Sequence, residues 1–367
     1  MSEGTGQIIR YLDRQERQLS RELWEEAFPE DSKSFDDYYF EEKIKDNRIL
    51  VLEEDGRIDS MIQLNPYLLQ VKGRRWRVDY LVGVATREDR RHRGYMRRLL
   101  ARMMADMRAE EMPFCFLMPA DEAIYRPFGY TYIYRQPCFG WKDMSGLERR
   151  ELLPWKDSLG NRRYLELLAG WMNDWLQKRY QVYAVRDLDY LQRLMKEIAS
   201  ENGSLDVLYD KDMMVGIESQ WGWENKELRL LYGEASYVEE VTEPKPAIMA
   251  RIITVEQFVR VIRLKDTVQE EERTLLLCLE DPLIAENQGL WKWNLNHETS
   301  WLERVEAQKN FKAEEISGAF GLQDAGVLHL NITELTGWLF GYEIPECAMA
   351  YADVVETLQD VFLDEIV

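Results

Sequence analysis

The first third of the chain alternates strand-like and helix-like patterns. Apolar positions in residues 8–12 and 48–52 predict strands, and the charged, amphipathic residues 16–28 between them predict a helix. Asp55-Gly56 then separates two apolar runs, a strong indication of a tight β-hairpin. A second hairpin is predicted around Lys72-Gly73-Arg74. This region therefore begins as a sheet with helices beside it.

The pattern next predicts a strand, a helix and another strand. Residues 80–84 are continuously apolar and β-prone, as in a strand buried on both faces. One apolar stripe at helical spacing follows, and Pro113 then excludes a continuing helix. The next strand is predicted at 114–118, which makes a βαβ unit, and the aromatic-rich segment 128–139 is also β-prone. The stripe consists of Met96, Leu99, Leu100, Met103, Met104 and Met107.

The rest of the chain predicts two further blocks. Helical patterns and a hairpin around Asp210-Lys211-Asp212 form the middle block, and that hairpin faintly echoes the first one, as in a degenerate repeat. Glu243-Pro244-Lys245-Pro246 reads as a linker. Beyond it, short strands and one helix predict a small α+β unit. The helices are expected at 164–178, 188–201 and 255–264, and the strands at 205–209, 213–217, 247–254, 275–280, 289–296 and 328–332.

Composition excludes several classes of protein. The 367 residues, 46% of them hydrophobic, suffice for two to three globular domains, and a net charge of −20 disfavours an extended surface for nucleic acid or anionic lipid. The N-terminus does not resemble a secretory signal, and no apolar run approaches the ~20 residues that cross a bilayer. We expect a cytoplasmic protein with no membrane or nucleic-acid partner.

Cysteine and histidine are too few and too scattered for metal chemistry. The four cysteines lack C-x-x-C spacing, so they are expected to be reduced thiols rather than a disulfide framework or a zinc site. None of the three histidines is paired at metal-ligand spacing. We therefore expect no metal cofactor and no histidine-based triad.

An arginine-rich turn is the main candidate for chemistry. Residues 87–108 hold eight arginines against three acidic residues, within an acidic chain. The core of this segment, residues 90–97, lies between the buried strand and the long helix. Backbone N–H groups at such a helix start can hold phosphates, and Gly94 would let the backbone approach them. The pattern R-x-x-G is weak alone, and a solvated arginine-rich helix face is the competing interpretation.

Three segments together resemble the GCN5-related N-acetyltransferases (GNAT). Residues 82–86 and 90–96 resemble motif A, and residues 124–130 resemble the family segment I-Y-x-x-F-G-Y. The likeness is strongest to the "enhanced intracellular survival" (Eis-type) branch. Met96 stands where most of the family has Gly or Ala, and the larger residue suits that branch.

The resemblance implies a fold and a division into domains. The fold class is α+β (mixed α/β): tandem GNAT-like domains with mixed central sheets flanked by helices, plus a C-terminal unit similar to sterol carrier protein 2. The implied boundaries are 1–142 for the acetyltransferase domain, 143–243 for a degenerate second one, and 244–367 for the sterol-carrier-like domain.

The resemblance also implies the site. Tyr125 matches the general acid, and the terminal carboxylate of Val367 would orient the acceptor amine or relay its proton. The thiol whose thiolate leaves when an amine attacks acetyl-CoA has a pKa near 8.5, and an unperturbed tyrosine has one near 10, so full proton transfer from Tyr125 is uphill by about 2 kcal/mol. The residues implied for acetyl-CoA binding are Val82, Gly83, Val84, Arg90, Arg91, His92, Arg93, Gly94, Tyr95, Met96 and Arg97.

The acceptor is predicted only by class. The acidic net charge favours a cationic amine, and the acids and aromatic residues at Asp36, Asp37 and Tyr38, with Glu365, are candidates to bind it. A run such as residues 35–40 is more often an ordinary amphipathic helix. Aminoglycosides, polyamines, peptide amines and lysines all remain open, as does self-association.

The expected function is therefore acetyl-CoA-dependent N-acetylation of a small-molecule or peptide amine. One alternative is a non-enzymatic acyl-CoA-binding or interaction protein that keeps the phosphate cradle without turnover. The other, a nucleic-acid binder that uses the arginine-rich turn, conflicts with the charge of −20.

Overall fold

The N-terminal part forms a sheet with helices on both faces. A computed structural model describes residues 6–152, 159–305 and 327–365. The strands here are β1 Ile8–Tyr11, β2 Arg48–Glu54, β3 Arg57–Val71, β4 Arg74–Thr86, β5 Phe114–Leu117 and β6 Thr131–Trp141. The helices are α1 Arg21–Ala27, α2 Lys33–Glu41, α3 Tyr95–Ala109 and the short α4 Glu122–Tyr125.

The middle of the chain adds two long helices and a second sheet. Its elements are β7 Glu148–Glu151, α5 Leu159–Gln177, β8 Val182–Ala184, α6 Leu188–Ser200, β9 Ser204–Asp210, β10 Met213–Trp221, β11 Glu227–Gly233 and β12 Val238–Ile252. The second sheet has the order β11-β10-β9-β7 and is antiparallel.

The last part forms a third sheet. Its elements are α7 Val255–Phe258, β13 Arg263–Leu264, β14 Glu272–Glu280, β15 Gly289–Asn296, β16 Ser300–Arg304, β17 Val327–Asn331, α8 Ile332–Leu339, β18 Val355–Glu356 and β19 Val361–Phe362. The sheet order is β16-β15-β14-β17, and β17 lies parallel to β14. No helix among the described residues is both long and apolar enough to span a membrane.

The sequence predictions are confirmed where they rest on turn-forming residues or on the helical spacing of apolar residues. Asp55-Gly56 and Lys72-Gly73 join antiparallel strands, and all four residues have the positive φ that such turns require. The apolar stripe of α3 is buried from Leu99 to Met107, and β4 and β5 are parallel across it. The mixed α/β fold class with helix-flanked sheets is confirmed.

The linker predicted at residues 243–246 is wrong. These residues lie inside β12, which pairs with β6 along most of its length and with β5 at Met249–Ile252. Its pairing with β6 shifts register around Thr242, Lys245 and Pro246, so the two prolines are accommodated at irregular positions of a strand. The boundary expected between residues 243 and 244 therefore falls within a continuous strand.

Later segments complete the first sheet. The sheet has nine strands in the order β1-β2-β3-β4-β5-β12-β6, with β8 paired to β3 and β19 paired to β8. Strands β8, β12 and β19 come from the middle and last parts of the chain. The first 142 residues consequently share one sheet with segments as distant in the chain as Val361–Phe362.

A buried ion pair connects this sheet to the C-terminal part. Arg251 on β12 donates to both Asp281 carboxylate oxygens, at 2.6 and 3.3 Å, and both side chains are fully buried. Asp281 also accepts from the backbone N–H groups of Leu283 and Ile284 and from Asn287 Nδ2. The carboxylate is thus the centre of the turn that follows β14.

Replacement of Arg251 should destabilise the protein strongly. Arg251→Met would leave the Asp281 carboxylate buried without its cation, and urea unfolding should show a loss of roughly 3–5 kcal/mol. Arg273→Met is the matched control: that side chain is 40% exposed and lies 3.8 Å from Glu270, so the expected change is within about 0.5 kcal/mol. Equal losses in the two variants would contradict the structural role of the buried pair.

Candidate active site

The site begins with an irregularity in β4. Met61 pairs with Ala85 and Gln63 pairs with Val82, so Gly83 and Val84 together oppose Ile62 in a β-bulge. Gly83 has φ +57°, and a Cβ there would lie 2.6 Å from Cζ3 of Trp24. Glycine is required because the Trp24 ring packs directly on the backbone.

Strands β4 and β5 separate just beyond their short parallel contact. They pair only at Tyr80 with Phe116 and at Leu81 with Leu117, where β5 ends. Strand β4 continues to Thr86 without a described partner on that side. The gap leaves unpaired backbone groups on β4 facing open space.

A cavity of about 900 Å³ occupies this gap. It extends from the β4 bulge to the start of α3 and to α4. All of the predicted acetyl-CoA-binding residues except Arg93 line it, and Tyr125 lines it as well. Val82 and Val84 are only half-buried because they face the cavity, which corrects the prediction of a strand buried on both faces.

The arginine-rich turn forms one end of the cavity. Gly94 precedes α3 with φ +76°, and a Cβ there would meet no atom within 4 Å, so the backbone is open to the cavity. No side chain caps α3, and its first described intrahelical backbone bond runs from Arg98 N–H to the carbonyl of Gly94. The N–H groups of Tyr95, Met96 and Arg97 are therefore directed at the cavity and suit an anion.

The arginines of this turn divide into two groups. Arg90 pairs with Glu54 at 2.9 Å and with Asp59 at 3.3 Å, so its charge is already compensated. Arg91 and Arg97 have no carboxylate partner among the residues that the structure describes; the Arg97 guanidinium lies 5.1 Å from the Phe128 ring centroid. These two side chains can meet an anionic ligand, whereas Arg90 holds the turn in place.

Arg93 and His92 are placed differently from the prediction. Arg93 does not line the cavity; its guanidinium donates to the carbonyl of Asp89 at 3.1 Å. His92 lines the cavity with φ +63°, a turn conformation that is uncommon for a residue with a side chain. The Tyr95 side chain is buried and its hydroxyl accepts from Gln7 Nε2, so only its backbone serves the site.

Tyr125 ends α4 and faces the cavity from the side opposite β4. Its side chain is 8% exposed and packs edge-on against the Tyr130 ring at 6.0 Å. Burial raises the pKa of Tyr125 to about 12, with no charged neighbour acting against it. The hydroxyl is therefore a neutral hydrogen-bond donor at ordinary pH.

Four apolar cavity residues were not predicted from the sequence. Phe28 follows α1, Met118 follows β5, and Ile124 and Phe128 flank Tyr125. Ile124 and Phe128 lie in the segment that carries the resemblance, so their positions could have been inferred. Nothing in the local sequence identifies Phe28 or Met118, because the fold brings them to the cavity from separate elements.

The residues predicted for the acceptor are not brought into this cavity. Asp37 is bound by Lys33 at 2.6 Å and Arg21 at 2.7 Å on the surface, and these contacts lower its pKa. Asp36 is buried in α2, which raises its pKa, and Tyr38 donates to Glu197 at 3.3 Å. The segment is an amphipathic helix, as the competing interpretation held.

Glu365 lies in a buried charge network near the end of the described chain. Arg186 donates to Glu365 at 2.7 Å and to Asp364 at 2.6 Å, and Tyr190 donates to Glu365 at 3.1 Å. Burial raises the pKa of Glu365. Val367, predicted to supply a terminal carboxylate, lies outside the described residues, so its role stays a prediction.

No group of three or more His, Cys, Asp or Glu side chains suited to a metal ion occurs in the described part of the chain. The cavity residues named above supply hydrogen-bond donors, arginines and apolar surface. Such a set suits an elongated ligand with an anionic end.

Comparisons with known proteins bear on the fold and on the first third of the chain. Residues 8–133 match the model of the Acetyltransferase (GNAT) domain. A search of curated proteins finds no match. The domain match runs from β1 to the first residues of β6 and contains the bulge, the arginine-rich turn and Tyr125.

Solved structures share the fold over nearly the whole chain. A protein from Enterococcus faecalis V583, described as a probable N-acyltransferase, has a TM-score of 0.72 at 14% identity and covers 96% of this chain and 94% of its own. A GCN5-related N-acetyltransferase from Anabaena variabilis has a TM-score of 0.68 at 15% identity, covering 95% and 94%. Eis1 from Mycobacterium abscessus has a TM-score of 0.64 at 11% identity, covering 95% and 93%. Residues 8–133 therefore resemble a GNAT acetyltransferase domain, and nearly the whole chain shares its fold with these solved structures.

Proposed function

We propose that the protein is an acetyl-CoA-dependent N-acetyltransferase that acts on a primary amine of a cationic small molecule or peptide. One observation carries the proposal: a single cavity joins the opened edge of β4, the uncapped start of α3 and the hydroxyl-bearing side chain of Tyr125. Its volume of about 900 Å³ suits a long cosubstrate.

The two ends of the cavity suit the two ends of acetyl-CoA. Phosphates fit the first-turn N–H groups of α3 and the guanidinium groups of Arg91 and Arg97. The unpaired backbone of Val82 and Val84 suits the amide-bearing arm, since an extended chain can hydrogen-bond to a free strand edge. This arrangement would direct the thioester toward Tyr125.

In the proposed reaction the amine nitrogen forms a bond to the acetyl carbon while the carbon–sulfur bond breaks. Tyr125 donates a hydrogen bond to the departing sulfur. With a pKa of about 12 for Tyr125 against about 8.5 for a thiol, complete proton transfer is uphill by roughly 5 kcal/mol. Tyr125 thus stabilises negative charge on sulfur, and the thiolate can take its proton later from the amine or from water.

The domain organisation is also proposed. The whole-chain likeness to Eis1 supports an Eis-type architecture. Three units stay predictions: an acetyltransferase domain at 1–142, a degenerate acetyltransferase domain at 143–243 and a sterol-carrier-like domain at 244–367. Because strands from the later two ranges belong to the first sheet, these units would not be separable.

Gly94→Val should weaken acetyl-CoA binding at least about a hundredfold, because a branched side chain would strain φ +76° and fill the space where backbone and phosphate meet. Gly73→Val is the matched control, since Gly73 has φ +85° with equally open surroundings but lies at a hairpin tip outside the cavity. Calorimetry measures both variants. Undiminished affinity in Gly94→Val would place the cosubstrate elsewhere.

Tyr125→Phe should leave acetyl-CoA affinity nearly unchanged and lower kcat by about 10²–10⁴-fold, because it keeps the ring and removes the donor. Tyr132→Phe, on β6 and outside the cavity, should retain the wild-type kcat. The readout is CoA thiol release with a panel of amines, corrected for thioester hydrolysis. A wild-type rate in Tyr125→Phe would make Tyr125 a packing residue.

The raised pKa of Tyr125 predicts the alkaline side of the pH profile. A group whose pKa is raised keeps its proton to higher pH, so the donor persists to roughly pH 11 given a pKa of about 12. We expect kcat/KM to rise as the acceptor amine loses its proton, with no decline before pH 10. A decline centred near pH 9 that disappears in Tyr125→Phe would show that burial does not raise this pKa.

A further inference from the structure

A second, smaller cavity of about 230 Å³ lies between the segment that follows α2, strand β3 and helix α6. It shares no lining residue with the larger cavity. Tyr67 lines the smaller one and Tyr80 the larger, and their rings meet edge-on at 6.0 Å. The two cavities are therefore neighbours separated by a pair of aromatic side chains.

Lys43 is a buried cation of this cavity that makes no direct ion pair with a described residue. It is 7% exposed, and its Nζ donates to the Tyr67 hydroxyl at 2.9 Å and lies 5.2 Å from that ring's centroid. No carboxylate lies within ion-pair distance of Lys43 in the described residues, and burial lowers its pKa. The carboxylates of Glu197 and Glu365 line the same cavity and act on the Lys43 ammonium group from a distance, without an ion pair to it. An anionic group in direct contact with Nζ would therefore add a charge-assisted hydrogen bond that Lys43 does not make here.

Two buried asparagines line the same cavity and are incompletely bonded. Asn47 and Asn65 are 0% and 1% exposed. Asn47 Nδ2 donates to the Tyr39 hydroxyl, which also lies 3.3 Å from Asn65 Oδ1. Asn47 Oδ1 and Asn65 Nδ2 have no partner among the described residues. The two amides beside the cavity therefore retain one acceptor and one donor that are buried and unbonded.

The other buried charges of this region already compensate one another. Arg229 pairs with Glu197 at 3.2 Å, and Arg186 pairs with Asp364 and Glu365. Together with Lys43, three buried cations face three buried carboxylates. A simple anion would upset this balance, whereas a ligand carrying both charges would preserve it.

The entrance of the cavity suits the positive end of such a ligand. Asp187 and Asp189 are exposed at the rim, where Arg77 is the exposed cation beside them. Arg193, also at the rim, forms an ion pair with Asp46 at 2.8 Å. The exposed rim is therefore net negative, whereas in the buried lining Lys43 and Arg229 balance the charges of Glu197 and Glu365.

We propose that this cavity binds a small zwitterionic amino acid, with its carboxylate against Lys43 and Asn65 and its ammonium group toward the rim. A volume of about 230 Å³ holds roughly eight waters at about 30 Å³ each, which is the size of a small or medium amino acid. The site is distinct from the acetyl-CoA cavity, and the ligand needs no thioester in order to bind.

Calorimetry on the full chain without acetyl-CoA, with each of the common amino acids as probe, tests the proposal. At least one should bind, and its α-amide and its N-acetyl derivative should bind at least about tenfold more weakly, since each lacks one charge. Equal binding of the α-amide would overturn the proposal, as would the absence of binding by every amino acid at about 10 mM.

Two variants and a control locate the site. Lys43→Met should weaken binding at least about tenfold, while Lys45→Met should not, since Lys45 is 53% exposed and pairs with Glu42. Asn65→Asp places a competing carboxylate in the cavity and should also abolish binding, with folding checked by circular dichroism. Unchanged affinity in both Lys43→Met and Asn65→Asp would overturn the assignment.

Mass spectrometry after addition of acetyl-CoA shows whether the bound amino acid is itself acetylated, which distinguishes an acceptor from a resident ligand. Binding that is lost in Lys43→Met supports the site in either case. Because binding is measured without a thioester, its failure would leave the proposed acetyl transfer standing.

Discussion

The separation of β4 from β5 is the constraint on which the rest of the site depends. Two strands that stayed paired would bury the backbone of Val82 and Val84 in a sheet, and no cavity could open there. Strand β5 ends at Leu117, and the bulge at Gly83 turns β4 away under the ring of Trp24. A bulge of this kind re-aims backbone groups without breaking the strand. The turn before α3 and the Tyr125 segment then close the space that the separation creates.

Keeping two strands apart requires support from outside the first 142 residues. Strand β12 pairs with β5 at Met249–Ile252 and with β6 beyond it, so β5 remains inside a sheet although its contact with β4 is short. Arg251 on β12 is fixed in turn by Asp281. Elsewhere in the same sheet, β8 pairs with the end of β3, and β19 pairs with β8. The middle and C-terminal segments thus act as structural parts of the N-terminal sheet.

The sequence could predict what depends on local chemistry. Positive-φ turns at Asp55-Gly56 and Lys72-Gly73, the α3 stripe and the glycine before α3 each have a local physical cause, and the structure has all of them. Strand β12 was missed because its two prolines resemble a linker, and only pairing across the sheet makes that segment a strand. The local sequence did not indicate that Lys43 is buried either. Lys45 has the same sequence surroundings, yet its side chain is exposed. Long-range pairing decides these features.

The burial that shapes the site also limits what Tyr125 can do. Burial of the side chain raises the pKa of Tyr125 to about 12, which in the proposed reaction makes early and complete proton transfer unfavourable. The same low polarity strengthens a hydrogen bond to a developing negative charge, because fewer waters compete for it. The arrangement therefore favours stabilisation of the leaving sulfur over protonation of it. In the proposed reaction, the remaining rate enhancement would then come from holding the amine and the thioester together on the sheet that β12 and β8 complete.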